Sequence, residues 1–152
     1  MPASAADPSV VHCADCGATW RDADAACQAR FDRLLALDHS HREPWGSRHG
    51  LAFAVYALQH PTQFPATSRV AARDLLTAVY RRGEDVAWAV GRLRTAMADS
   101  RRSMAPADVV PHPRRGFAVT IDGLGDFDAK HYVADLERWC RATLEALDAA
   151  DA

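Results

Sequence analysis

Cysteine and histidine are the residue types in this chain that are best suited to metal or redox chemistry. Cys13 and Cys16 are separated by two residues, the spacing at which two thiolates bind one zinc ion from a tight turn, and Gly17 relieves the backbone strain of that turn. Cys27 falls in the first turn of a predicted helix, where backbone N–H groups and the helix dipole favour the thiolate. The three cysteines therefore predict three ligands of one zinc ion per chain, although Cys27 could also be a small buried hydrophobic residue.

Zinc needs a fourth ligand, and three residues could supply it. His49 and His60 share one face of a predicted helix and lie about 16 Å apart along its axis, so one ion cannot bind both unless the helix is broken. We prefer His49, which is closer in sequence to the thiolates, and expect His60 to form hydrogen bonds at the helix end or to be the alternative ligand. Cys140 would complete a Cys₄ site, but it lies on the apolar stripe of the last predicted helix, as core residues do.

Several short motifs, which include these cysteines and histidines, resemble those of a protein family. The pattern reads Cys13-Ala-Asp-Cys-Gly17, then Cys27 with Phe31, then Trp45-Gly46-x-x-His49, then Tyr56-Ala-Leu-Gln-His-Pro61, and finally Arg138-Trp139 with Thr143. It resembles an uncharacterised bacterial domain family of unknown function, whose members have a CxxCG pair, a third cysteine and a helix reading H…YxxQHP. Cys140 departs from that pattern, which has a small residue such as Ala there, and this weakens the Cys₄ interpretation. The resemblance implies a site but no reaction.

Two functions are compatible with such a site. A closed Cys₃His site is structural and contributes directly to the free energy of folding, so the protein would have a binding or accessory function. The alternative is a metal-dependent or thiol-redox enzyme that uses His60 and Tyr56 beside the site, with a reversible Cys13–Cys16 disulfide as one form of it. Three thiolates with Zn²⁺ leave a net charge of about −1, so a bound water would be a poor acid and hydrolysis is less favoured. Zinc deaminase, H-E-x-x-H, P-loop and G-x-S-x-G motifs are absent from the sequence.

A further alternative is a zinc-stabilised DNA-binding protein. Residues 69–102 contain eight arginines and four acids, a net charge of +4, whereas residues 121–152 contain eight acids and three bases, a net charge of −5. Two predicted helices meet at Arg81-Arg82-Gly83 and could form a helix-turn-helix. The same arginines are typical of a solvated helix face, and the acidic last helix could pair with them.

Length, composition and charge predict one soluble domain. The chain has 152 residues, of which 49% are hydrophobic and 25% charged, and its net charge of −2 excludes a protein that is basic throughout. No apolar run approaches the ~20 residues of a membrane span, and the first eight residues lack the features of a secretory signal. We therefore expect a cytoplasmic bacterial protein without a membrane segment, whose partner is an unknown protein or small molecule.

The expected architecture is mostly α, with about five helices in a single compact domain and a small zinc-knuckle-like element at its N-terminal end. We expect residues 1–9 to be disordered and residues 10–150 to form one helical metal-binding domain. The helices are predicted from Asp22 or Asp24 to Leu37, Arg48 to Gln59, Ser68 to Gly83, Glu84 past Met97, and Phe127 to Ala149. Phe117–Ile121 alternates like a short strand, although Thr120 could begin a helical turn. Residues 101–116 contain three prolines and read as a functional or mobile loop.

Overall fold

The first elements of the chain are two very short strands that support a tight turn. The structure is a computed structural model. It describes residues 7–100 and 116–151, and it describes the side chains of all of these except residues 97–100. Strand β1 (Val11–His12) pairs antiparallel with β2 (Thr19–Trp20), and Val11 lies opposite Trp20. The turn between the strands contains Cys13 and Cys16, as the knuckle-like element requires. Residues 1–6 of the segment 1–9 that was expected to be disordered, and residues 101–115 of the loop expected at 101–116, lie outside the described residues.

Five α-helices follow the hairpin in the described part of the chain. They are α1 (Cys27–His39), α2 (His49–Gln59), α3 (Ala66–Tyr80), α4 (Val86–Ser100) and α5 (Tyr132–Asp151). Short 3₁₀ turns lie at Ala23–Ala25, Gly46–Arg48, Pro61–Gln63 and Ile121–Leu124. The helices form one compact domain, so the mostly α class and the number of helices expected from the sequence are confirmed. None of the helices in the described ranges combines the length and the apolar composition that a membrane span requires.

Helix α2 is the centre of the core. From Leu51 to Gln59 every side chain of this helix is buried except that of Phe53, which is 37% exposed. A helix that is apolar on nearly all sides must be covered by its neighbours, and α1, α3 and α5 all pack against it. The helix ends at Gln59 because His60 adopts a non-helical conformation and Pro61 follows. The centre of the domain and its C-terminal boundary therefore agree with the prediction.

Helices α1, α4 and α5 begin later than predicted; α4 begins at Val86 instead of Glu84. Asp22 caps a 3₁₀ turn rather than α1, because its carboxylate accepts a hydrogen bond from the backbone N–H of Asp24. Phe127 has a left-handed backbone with φ of 61°, so a helix cannot begin there, and α5 starts five residues later. Periodicity alone did not reveal either conformation.

The segment predicted as a strand at residues 117–121 is a turn. Thr120 is the residue before a 3₁₀ turn, as the alternative interpretation held, and the described structure has no strand at this position. Ile121 and Leu124 are both buried, and residues three apart lie on the same side of a 3₁₀ helix. A 3₁₀ turn can therefore direct both side chains into the core, whereas a strand would place residues three apart on opposite faces.

Candidate metal centre

Four side chains with metal-binding atoms meet in the core. Cys13, Cys16, Cys27 and His60 each offer one ligand atom, and these four atoms all lie within 4.8 Å of one another. Cys16 and His60 are fully buried, and Cys13 is the most exposed of the four at 9%. The group combines residues from three separate places in the chain: the turn after β1, the start of α1 and the end of α2. These residues could hold a metal ion.

The turn between the strands directs the first two thiols. The backbone N–H of Cys13 donates to the Ala18 carbonyl at 2.7 Å, and that of Gly17 donates to the Cys13 carbonyl at 3.0 Å. The N–H of Ala18 donates to Cys16 Sγ at 3.4 Å, which orients this sulfur. Gly17 has φ of 84°, a left-handed conformation that glycine adopts without a steric penalty. The tight turn inferred from the Cys-x-x-Cys-Gly spacing is therefore present.

Cys27 is the first residue of α1 and approaches Cys16 closely. Their two Sγ atoms are 3.6 Å apart, far beyond the ~2.05 Å of a disulfide, and both cysteines are free. Two sulfurs bound to one tetrahedral zinc ion at about 2.3 Å lie about 3.8 Å from each other. The observed separation therefore fits two ligands of one ion.

His60 closes α2 and presents one ring nitrogen to the sulfurs. Its Nδ1–H donates to the Tyr56 carbonyl at 2.8 Å, which fixes the ring and the tautomer. The other nitrogen, Nε2, is buried and makes no hydrogen bond within the described part of the chain. Metal-binding histidines typically donate their second ring N–H to a carbonyl or carboxylate in this way. A metal ion would supply the partner that Nε2 lacks.

His49, the preferred fourth ligand, does not join this cluster. Its Nδ1–H donates instead to the carboxylate of Asp38, with Nδ1 and Oδ2 3.0 Å apart. Asp38 lies eleven residues after Cys27 on α1, about 16 Å along the helix. Because α2 runs back beside α1, its first residue lies far from the thiols and the residue after its last turn lies beside them. One ion cannot bind both histidines, as the sequence predicts. Closeness in sequence favoured His49, which is the histidine that lies farther from the thiols in the fold.

Cys140, the other alternative ligand, is not part of the cluster either. It is fully buried on α5, and burial raises the pKa of its thiol well above the usual range. A raised pKa keeps a thiol protonated and unreactive. Cys140 is therefore a core residue, as its position on the apolar stripe of the last helix predicts.

The site distributes protons unevenly among its side chains when no ion is bound. The pKa of Cys16 is lowered to about 4, foremost because Cys27 donates a hydrogen bond to its sulfur, and also because His60 lies beside it. The same hydrogen bond, together with burial, raises the pKa of Cys27 far above its usual value. Burial lowers the pKa of His60, but the neighbouring sulfurs of Cys13 and Cys16 outweigh it and raise that pKa to about 9. Without a metal ion, the protons of Cys27 and His60 therefore lie beside the Cys16 thiolate, and a divalent cation could displace them.

Aromatic rings hold the His60 imidazole in place. The Tyr56 ring stacks on His60 with centroids 3.9 Å apart, and Phe31 stacks on the other face of Tyr56 at 3.8 Å. The Tyr56 hydroxyl is buried without a hydrogen-bond partner among the described residues. Burial raises the pKa of Tyr56 above its usual value, and the thiols of Cys27 and Cys13 add to this shift. Sequence reasoning singled out Tyr56 and Phe31 but missed the stack, which the four-residue spacing of Tyr56 and His60 could have suggested.

Four of the eight arginines that suggested nucleic-acid binding form ion pairs with acids of the domain. Arg73 of α3 donates to Asp148 and Asp151 of α5 at 2.8 and 2.6 Å, and Arg81 pairs with Asp148 as well. Two further arginines of the basic stretch pair with Glu84. The acidic last helix therefore neutralises part of the basic surface, which favours the interpretation of a paired helix face.

Comparison with known proteins adds a family to this geometry. No curated protein and no solved structure matches the chain. A family model matches residues 11–148, from β1 almost to the end of α5, and this range contains all four side chains of the cluster. The chain therefore belongs to a family of unknown function, DUF5946.

Proposed function

We propose that Cys13, Cys16, Cys27 and His60 bind one zinc ion per chain, and that this ion is structural. The observation that carries the proposal is the unpartnered, buried Nε2 of His60 beside three sulfurs that converge on the same point. Buried polar atoms are almost always paired, so an orphan nitrogen in a group of potential ligands calls for a missing partner. Three thiolates and one imidazole are a donor set that zinc prefers in tetrahedral structural sites.

The connectivity supports a structural role. A hairpin of two-residue strands has little stability in water by itself, and here it joins the core next to the start of α1 and the end of α2. One ion bound to all four side chains would fasten the N-terminal segment to these helices and close a loop of 48 residues from Cys13 to His60. The role that follows is a zinc-stabilised binding or accessory protein whose partner contacts lie elsewhere on the surface.

The enzyme alternative has less support. It requires an open coordination position and access for a substrate, whereas the side chains of the site are buried. His60 would be consumed as a ligand, and the raised pKa of Tyr56 keeps its hydroxyl protonated near neutral pH, which is unfavourable for a general base. We therefore favour the structural role over metal-dependent or thiol-redox catalysis.

The zinc content of purified variants tests this proposal. Proteins are dialysed against a moderate chelator and then analysed for metal. We expect about one zinc per chain in wild type, and loss of that zinc in Cys27→Ser and His60→Ala. His49→Ala and Cys140→Ser are matched controls of the same residue types outside the cluster, and both should retain the ion. A wild type without metal, or retention in His60→Ala with loss in His49→Ala, would contradict the proposed ligand set.

A further inference from the structure

A second group of titratable side chains lies where α1 ends and α2 begins, at the opposite end of α2 from the thiols. The side chain of Asp38 is completely buried there and accepts the hydrogen bond from His49 Nδ1 at 3.0 Å. His49 is 30% exposed, so its ring connects a buried carboxylate to the surface. Since Nδ1 carries the proton of this hydrogen bond, the lone pair of the neutral imidazole is on Nε2.

His39 places a second imidazole beside the first. It is the exposed last residue of α1, and its ring centroid is 5.3 Å from that of His49, with the planes tilted by 41°. Two imidazoles bound to one tetrahedral ion through bonds of about 2.0–2.1 Å have centroids about 5 Å apart. The spacing of the two rings is therefore compatible with two ligands of one ion.

Asp38 supplies an independent reason for a cation at this position. Its second oxygen, Oδ1, is buried and has no hydrogen-bond partner within the described residues. A buried carboxylate with only one hydrogen bond is poorly compensated in a low-dielectric environment. A cation bound to the far side of the His49 ring would compensate this charge through the imidazole, as in the carboxylate–histidine–metal arrangement of many metal sites.

We propose that His39 and His49 bind a divalent transition-metal ion at the surface, with Asp38 as the positioning residue behind His49. Zinc is the probe of choice, because neutral imidazole is among its usual ligands. Two protein ligands leave the remaining coordination positions of the ion to water or to an anionic ligand, so this site should bind zinc more weakly than a set of four protein ligands. The site shares no residue with the thiolate cluster, so it stands or falls independently of the structural zinc.

Zinc binding at equilibrium tests the second site. Wild-type protein that already contains its tightly bound zinc is dialysed against increasing free zinc, and bound metal is measured. We expect a second, weaker equivalent whose Kd rises at least about tenfold in His39→Ala, since one of two ligands is lost. His39 is exposed, so this variant leaves the buried Asp38–His49 pair in place. Asp38→Asn should raise the same Kd by about 10–100-fold.

The control is an aspartate–histidine pair without a second imidazole. His131 donates to Asp128 at 2.7 Å, both side chains are exposed, and His131→Ala should leave the second equivalent unchanged. The nitrogen signals of the two rings in NMR spectra provide a second readout, because zinc should shift Nε2 of His49 and not Nδ1. Absence of a second equivalent at millimolar zinc would overturn the proposal. An equivalent that survives His39→Ala, or that His131→Ala removes, would do the same.

Discussion

At the scale of single residues, the contacts of His60 in the fold, and not its position in the sequence, make it a candidate metal ligand. Its Nδ1 is occupied by a carbonyl, its ring is stacked on Tyr56, and its Nε2 lies next to the sulfurs. The three cysteines were found from their spacing because a Cys-x-x-Cys turn is a local feature. The proposed fourth ligand was not identified, because the choice between His49 and His60 depends on how two helices are oriented, which no local pattern contains.

Substitutions of Tyr56 separate packing from acid–base chemistry. Tyr56→Phe removes a buried hydroxyl that has no hydrogen-bond partner among the described residues, so the free energy of unfolding should change little or rise. Tyr56→Ala removes the ring between Phe31 and His60 and should cost about 3–5 kcal/mol. Urea unfolding and zinc content measure both effects. A Tyr56→Phe protein that loses zinc or several kcal/mol would show that the hydroxyl has a role absent from this account.

Zinc binding should release protons and strengthen as the pH rises. Near pH 7 without metal, Cys27 and His60 both hold a proton, since their pKa values lie above 7, whereas Cys16 is already a thiolate. The ion requires the thiolate and the neutral imidazole, so these protons must leave. The apparent affinity should therefore increase about tenfold per pH unit for each proton displaced, up to the His60 pKa of about 9. Calorimetry in buffers of different ionisation enthalpy counts the protons. An affinity independent of pH between 6 and about 8 would contradict the assignment.

At the scale of elements, two helices bring the proposed ligands together. Helix α1 begins with Cys27, and α2 returns beside it and ends just before His60, so the proposed ligands lie at one end of the pair and the Asp38–His49 contact lies at the other.

The positions of the helices were predictable, because prolines and apolar periodicity are local. The expected caps were not, since Asp22 caps a 3₁₀ turn and Ser68 lies inside α3, which begins at Ala66. The left-handed Phe127 was not predictable either. Its carbonyl accepts a hydrogen bond from the Trp45 indole at 2.9 Å, a contact between residues 82 positions apart.

Helix α4 approaches α2 at one glycine, which gives a paired prediction. A Cβ on Gly50 would lie 2.8 Å from a methyl carbon of Val90, whereas a Cβ on Gly91 of α4 would meet open space. Gly50→Ala should therefore destabilise the protein by about 1 kcal/mol through overpacking. Gly91→Ala should stabilise it by about 0.5–1 kcal/mol, because alanine favours the helix.

Thermal or urea unfolding of both variants and of the double variant Gly50→Ala/Val90→Ala measures this contact. The smaller side chain at position 90 should remove the clash, so adding Val90→Ala to the Gly50→Ala variant should cost less than Val90→Ala costs in wild type. Equal costs in the two backgrounds would show that α4 does not approach α2 as described.

At the scale of the whole molecule, the candidate metal centre lies at one end of α2, and α2, α3 and α5 build most of the remaining core without it. This core contains Trp139, Leu76 and Val55, all fully buried, together with the polar link from Gln59 to Thr143 at 2.8 Å. The mostly α class could be predicted from composition and periodicity. The charged surface that is available to a partner could not be predicted, because the pairing between arginines and acids of distant helices depends on the tertiary fold.

Removal of zinc should therefore loosen one region and leave the other. Without the ion, the amides of residues 13–20 should lose their protection from hydrogen exchange, because the two short strands alone do not hold the turn. The amides of α3 and α5 should stay protected, since their packing does not depend on the four ligands. Hydrogen exchange measured by mass spectrometry, with and without a strong chelator, resolves the two regions. Uniform loss of protection across all helices would show instead that the whole fold requires the ion.

X-ray absorption spectroscopy at the zinc edge of the purified wild-type protein tests the proposed set of three cysteines and one histidine most directly. It reports the number and type of atoms bound to the metal without altering any residue. We expect a four-coordinate ion with three sulfurs at about 2.3 Å and one imidazole nitrogen at about 2.0–2.1 Å. A shell of four sulfurs, a shell dominated by oxygen and nitrogen, or an ion with fewer than three sulfurs would contradict it.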